Sequence, residues 1–151
     1  MKLIPAIDLL EGRCVRLLKG DFEKVTFYEV KPLDLVKNYE SMGFENIHIV
    51  DLDGTRDGKS GNGEVIEEII EKSNLKIQLG GGIRSNQNIK QWFDTGINYL
   101  IIGSFAINSF DEFYQSINEH DKSKIIIALD VMIENMEPIV MTHGWKESSN
   151  Q

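Results

Sequence analysis

Five short apolar runs, at residues 3–7, 47–51, 77–79, 99–102 and 125–129, are spaced along the 151-residue chain with amphipathic stretches between most of them. That alternation predicts a parallel sheet, because strands running the same way need a long crossover, usually a helix, to connect them. The runs are continuously apolar rather than strictly alternating. Both faces of the sheet are therefore expected to be covered, one by helices and the other by a barrel interior or a second helical layer. With 41% hydrophobic residues the chain has enough apolar material for one core, and its length favours a single domain over residues 1–151.

The amphipathic stretches have recognisable ends. Pro32 suits the first turn of a helix carrying Leu35, Val36, Tyr39 and Met42, and Gly43 suits the left-handed position that follows it. Val65, Ile66, Ile69 and Ile70 form one stripe, with Glu64, Glu67, Glu68 and Glu71 solvated around it; Ile89, Trp92 and Phe93 form another, closed by Gly96. Ser109 with Glu112 fits a capping box ahead of Phe110, Phe113, Tyr114 and Ile117. A weak repeat accompanies these elements, since Met42-Gly43-Phe44 before one strand is echoed by Thr95-Gly96-Ile97 before another. Repeated βα units build either a (β/α)8 barrel or an open doubly wound sheet, and the first strand lacks the Gly-x-Gly-x-x-Gly turn of a dinucleotide fold.

Two strand ends are rich in glycine. Gly80, Gly81 and Gly82 follow the run at 77–79, and Gly103 and Ser104 follow the run at 99–102. Without Cβ atoms, such turns let backbone N–H groups approach an anion closely, beside the positive end of the next helix. They read as two walls of a phosphate cradle, or simply as tight turns.

Two carboxylates stand at corresponding places. Asp8 is read as closing the first strand and Asp130 as closing the fifth, each behind an apolar run whose alternate residues, Ile4 and Ala6 or Ile126 and Ala128, share its face. In a barrel both would point inward at the C-terminal ends of strands, where a base and an acid of separated pKa serve proton transfer. Taken singly, each could also be a turn former or cap. His48, on the opposite face from Ile47 and Ile49, reads as a core histidine or as a substrate contact. Asp51-Leu52-Asp53-Gly54 could bind a hydroxyl group or form the strand's exit turn. Arg16 and Lys19 fall in segment 13–21, read as a long loop able to fold over a phosphorylated ligand. Trp145, after the fifth strand, could stack on a planar ring or pack on the surface.

Composition narrows the partners. A formal net charge of −8 without a Lys/Arg cluster argues against nucleic acid and anionic membrane surfaces, so any bound anion must be held locally. The start of the chain does not read as a secretory signal, and no run reaches transmembrane length, so the cytoplasm is the expected compartment. Cys14, alone, has no thiol partner for a disulfide or a metal. No metal site is expected, and no nucleophile elbow, Walker loop or His-Glu-x-x-His helix is present.

In order, Ile-Pro-Ala-Ile-Asp8-Leu, Gly12-Arg-Cys-Val-Arg16-Leu, Lys19-Gly-Asp21, His48-Ile-Val-Asp51-Leu-Asp53-Gly, Gly80-Gly-Gly-Ile-Arg84, Ile-Ile-Gly103-Ser104, Leu-Asp130-Val and Gly144-Trp145 resemble the ProFAR isomerase family of histidine biosynthesis. A less close resemblance is to the cyclase subunit of imidazole glycerol phosphate synthase. The first resemblance implies a TIM barrel and a cofactor-free Amadori rearrangement of a phosphorylated ribonucleotide. It implies Asp130 as proton donor, Asp8 as proton acceptor, and Gly81, Gly82, Gly103 and Ser104 as a phosphate site. The family's barrel has eight strands and a second phosphate site on the last two, whereas about five strands are expected here. An incomplete barrel would leave strand edges open, which invites pairing between copies or a half-barrel that only binds phosphate.

Overall fold

The structure, a computed structural model, describes residues 3–58, 61–134, 136–142 and 147–148. Its strands are β1 (Ala6–Leu10), β2 (Arg13–Leu18), β3 (Asp21–Phe27), β4 (Asn46–Asp51), β5 (Lys76–Gly80), β6 (Tyr99–Ile102), β7 (Ile125–Ile127), β8 (Asp130–Glu134), β9 (Glu137–Thr142) and β10 (Glu147–Ser148). Its helices are α1 (Pro32–Ser41), α2 (Leu52–Asp57), α3 (Gly63–Lys72), α4 (Asn86–Asp94), α5 (Ser104–Asn108) and α6 (Phe110–Asn118).

Seven strands form one sheet in the order β3-β2-β1-β4-β5-β6-β7, and β10-β9-β8 form a second. From β1 through β4, β5 and β6 to β7 every pairing is parallel, as the alternation of apolar runs and amphipathic stretches predicts. Ile7, Leu9, Ile47, Ile49, Ile77, Leu79, Leu100 and Ile102 point to one face. There they meet Val36 of α1, Ile66 and Ile69 of α3, Ile89 of α4, Phe105 of α5 and Phe113 of α6 in the main core. The opposite face carries no second helical layer among the described residues; its packing comes from the β2–β3 hairpin. There Val15, Leu17, Phe22 and Val25 gather with Leu10, Val50 and Leu52.

The helix ends follow local chemistry. Pro32 opens α1, where its missing N–H costs nothing, and Gly43 beyond its end takes φ +87°; Gly96, after α4, takes φ +91°. The Ser85 hydroxyl caps α4 by accepting from Asn88 N–H at 3.2 Å. Ser109 does stand before α6, but its side chain makes no cap bond. The capping box expected with Glu112 does not form, and the Ser109 carbonyl instead accepts from Phe113 N–H at 2.8 Å.

Four expectations need correction. The first strand runs over 6–10 rather than 3–7, because Leu9 and Leu10 pair with Cys14 and Arg13 across a hairpin; Asp8 is thus mid-strand. Segment 13–21 is not a loop but strand β2 and the turn into β3, with two-residue turns at Glu11-Gly12 before it (φ 52° and 73°) and at Lys19-Gly20 (φ 54° and 76°), the positive-φ turns that match strand twist. Asp51 ends β4 and caps helix α2, which begins with Leu52, Asp53 and Gly54. The fifth parallel strand ends at Ile127; Ala128 N–H still bonds Ile102 O at 2.9 Å, and Asp130 begins β8 of the second sheet.

Ile49 is fully buried between β4's neighbours and the helices. Ile49→Ala should therefore cost about 2–5 kcal/mol in urea unfolding, while Leu18→Ala, 59% exposed, should cost under about 0.5 kcal/mol.

Candidate functional site

Register defines what the hairpin side of the sheet presents. Ala6 pairs with His48, His48 with Gln78 and Gln78 with Tyr99; one step nearer the strands' C-terminal ends, Asp8 pairs with Val50, Val50 with Gly80 and Gly80 with Ile101. Paired residues share a face, so these are two rows on the helix-free face, and about 4.8 Å per strand puts the backbone of Asp8 roughly 10 Å from Gly80. Asp8, His48, Gln78 and Tyr99 are all half-buried.

Asp8 and His48 feel each other. Burial raises the Asp8 carboxyl from its ordinary pKa, while the charges of Arg16 and His48 pull it back. Burial lowers the His48 imidazole, against the pull of Asp8. The pair is thus a carboxylate of enhanced basicity beside a histidine biased to its neutral form, a setting suited to taking up a proton from a bound molecule.

The glycine turns have a packing reason of their own. Gly81 (φ +102°) and Gly82 (φ +72°) lie against the start of α2. A Cβ on Gly81 would collide with the Asp51 carbonyl oxygen, and one on Gly82 would lie 2.6 Å from the Gly54 Cα. Backbone therefore packs on backbone where β5 leaves the sheet. Gly103 and Ser104 leave the adjacent strand β6 at the same end, Gly103 preceding α5 and Ser104 opening it. The two turns expected to form a cradle are neighbours. A cavity of about 570 Å³ runs from Gly54, Gly81 and Gly82 along α3 and α4 to Trp92 and Thr95. Neither Asp8 nor His48 lines it.

Asp51 and Asp53 converge on a buried amide. Asn62, 0% exposed, places Nδ2 at 2.6 Å from Asp51 Oδ1, 2.9 Å from Asp53 Oδ2 and 3.2 Å from Leu9 O, and its Oδ1 accepts from Gly12 N–H at 2.7 Å. Asp53 Oδ2 also accepts from Glu11 N–H at 2.7 Å, and its Oδ1 from Arg56 at 3.0 Å. Asp51 Oδ1 caps α2 through Gly54 N–H at 3.0 Å, leaving Oδ2 buried without a partner. Among the described residues no three His, Cys, Asp or Glu side chains converge as metal ligands would.

Of the residues expected to act, the fold puts Asp8 and His48 on one face, with Gly81, Gly82, Gly103 and Ser104 along the same end of the sheet; the charge of Arg16 reaches Asp8. Arg16 is exposed on β2 and Lys19 occupies the tight β2–β3 turn. Asp130 is exposed and belongs to the second sheet. It lies two residues past the Ala128–Ile102 bond, so it leaves the parallel sheet at the C-terminal end. Trp145 lies outside the described residues. Gln78, Tyr99 and Asn62 were not singled out from the sequence. Gln78 and Tyr99 interrupt apolar runs at the His48 position of neighbouring strands, a signal visible only once register is known; Asn62 has none, because its partners lie up to 53 residues away.

An α/β protein whose parallel strands bury one face under helices and turn polar side chains into the other is built as part of a (β/α)8 barrel. Its sequence matches the histidine biosynthesis protein family over residues 2–151. The chain belongs to that family. Its relatives include proteins of Elusimicrobium minutum (44% identical over 100% of this chain and 63% of the relative), Francisella philomiragia subsp. philomiragia (43%, 99% and 62%) and Aquifex aeolicus (43%, 97% and 60%). Each is named a 1-(5-phosphoribosyl)-5-((5-phosphoribosylamino)methylideneamino)imidazole-4-carboxamide isomerase. The chain spans about three-fifths of the length of these curated relatives.

Because the folded state raises the Asp8 pKa, ionised Asp8 destabilises the fold above that raised value and not below the unfolded value near about 3.9. Asp8→Asn, which mimics the protonated form, should therefore raise the melting temperature at pH 8 and lose that advantage by about pH 4; thermal denaturation at the two pH values checks it.

Proposed function

We propose that this chain, as one domain forming the N-terminal part of a TIM barrel, isomerises ProFAR, an aminoaldose ribonucleotide, to its aminoketose by an Amadori rearrangement. The setting of Asp8 carries this reading: a half-buried carboxylate of raised pKa on the helix-free face, on the same face as His48 of the neighbouring strand. The shared name of the relatives supports the substrate and reaction class.

In this chemistry an acid protonates the ribose ring oxygen as the C1′–O4′ bond breaks, a base removes the C2′ proton to leave an enolamine, and return of a proton to C1′ with loss of the 2′-hydroxyl proton yields the aminoketose. Asp130 is the proposed acid and Asp8 the base. Both steps are proton transfers, which side chains accomplish without a cofactor. Backbone N–H groups at Gly81, Gly82, Gly103 and Ser104 would hold one phosphate, with Arg16 and Lys19 supplying positive charge near the hairpin, His48 a hydrogen bond, and Trp145 a stacking surface. Nucleic acid and membrane have no part in it. No helix among the described residues is long and apolar enough to cross a membrane, and we place the reaction in the cytoplasm.

ProFAR turnover by the chain, alone and mixed with a separately expressed polypeptide carrying barrel strands six to eight, tests the reading. Asp8→Asn or Asp130→Asn should each lower kcat by about 10²–10⁴-fold. Turnover indifferent to both substitutions, or none in any mixture of folded protein, would overturn it.

A second reading, association between copies, is favoured by one observation: β7 ends the seven-stranded sheet, and Ile127, Leu129 and Ile133 near it are 53%, 54% and 68% exposed. An unpaired apolar edge is a template for further pairing. Sedimentation velocity should show species larger than a monomer whose proportion grows with concentration; a single monomeric boundary at every concentration would remove this reading.

A further inference from the structure

The register that puts Asp8 on the helix-free face also fixes its neighbours there. Val15 of β2 and Val50 of β4 stand directly opposite it, with Cβ atoms about 5 Å away across each strand pair. The same row continues to Phe27 on one side and to Gly80, Ile101 and Ile126 on the other. Asp8 is therefore the one side chain able to hydrogen-bond in a row that crosses all seven strands of the sheet. Along β1 the flanking positions on this face are Ala6 and Leu10. Leu10 and Val15 are 3% and 5% exposed, and Val50 packs with them. No N–H or O–H group among the described residues donates to the Asp8 carboxylate. The next row is its opposite in character, since there His48, Gln78 and Tyr99 adjoin one another.

A carboxylate ordinarily gathers donors, and each one it accepts from engages a lone pair and lowers its basicity. The charged and titratable groups near Asp8 sit off its row. His48 of β4 pairs with Ala6, and Arg13 of β2 pairs with Leu10 and lies over the Phe27 ring at 4.5 Å. Arg16, next to Val15, belongs to the opposite face and reaches Asp8 through its charge. We infer that Val15 and Val50 are positioning residues acting through Asp8: as the cross-strand walls of an apolar frame, they keep donors and water from the flanks of the carboxylate and leave its lone pairs to the substrate. The inference rests on the reading of Asp8 as the base. Removal of a C2′ proton needs a carboxylate whose lone pairs are not already engaged, and burial in this frame pushes the Asp8 carboxyl up from its ordinary range. Half of the frame comes from β2, so the hairpin that covers the sheet also conditions the base.

The test is a carbon-detected NMR titration of the Asp8 carboxyl in the 151-residue chain without substrate, so its outcome does not depend on ProFAR turnover. Val15→Thr and Val50→Thr keep the branched shape but place a hydroxyl donor beside the carboxylate. Each should lower the Asp8 midpoint by about half a pH unit or more. Val15→Ile, still apolar, should leave the midpoint where it is. Val25→Thr makes the same change in the same apolar cluster, opposite Leu17 rather than Asp8, and should also leave it. An unchanged midpoint in either folded variant, Val15→Thr or Val50→Thr, or an equal shift in Val25→Thr, would overturn the inference. In the unsubstituted chain the Val15 and Val50 methyl resonances should move through the Asp8 midpoint, while those of Val36, on the helix side, stay flat. Flat Val15 and Val50 methyls refute the frame even where the threonine variants do not fold. Lowered midpoints without any ProFAR turnover would reject the isomerase reading and keep the frame, while turnover with unchanged midpoints would do the reverse.

Discussion

One-sided burial of a parallel sheet is the constraint on which the rest of this structure depends. Strand side chains alternate with a period of two, so once Ile7, Leu9, Ile47, Ile49, Ile77, Leu79, Leu100 and Ile102 are committed to the helices, the residues between them are committed to the other face. Asp8, His48, Gln78 and Tyr99 occupy that face for this reason. A slip of one residue in β1 would turn Asp8 under the helices and Ile7 to the other face. The hydrophobic effect that builds the core is thus also what aims the polar groups.

Strand ends are held by a different currency of interaction. Where β4 and β5 leave the sheet, the chain closes backbone on backbone: Gly81 and Gly82 against Asp51 and Gly54. Next to them Asp51, Asp53 and Asn62 form a buried polar knot that reaches the β1–β2 turn. Such a network is stable only when nearly all its members are satisfied, which makes it geometrically specific in a way that apolar packing is not. The same glycines thereby have two reasons to lack side chains, the packing shown by the structure and the anion approach proposed from it.

The legibility of the fold follows the range of the interactions. Helices α1, α3, α4 and α6 and the parallel strands were readable because their apolar periodicity is carried by neighbours in sequence. The β2–β3 hairpin was missed even though Glu11-Gly12 and Lys19-Gly20 flank an apolar run, because its strands were recognisable only through the pairing of β2 with β1 and of β3 with β2. The second sheet was missed for the same reason: β8 to β10 are exposed or short and have little core signature. The Ser109 cap failed because local backbone at φ −136°, ψ 51° does not present the hydroxyl to the first turn, a geometry no motif encodes.

By itself the sequence determined the class of fold, its family and the identity of the residues at two glycine-rich strand ends and two acidic positions, because these are properties of composition and order. It did not determine which residues meet. That Asp8 shares a face with His48, that Asp51 and Asp53 meet at Asn62, and that Asp130 starts a new sheet instead of ending an old one were decided by tertiary structure. The physical reason is that register and the partners of buried polar groups are set by contacts between segments up to 53 residues apart, whose free energy no local window contains.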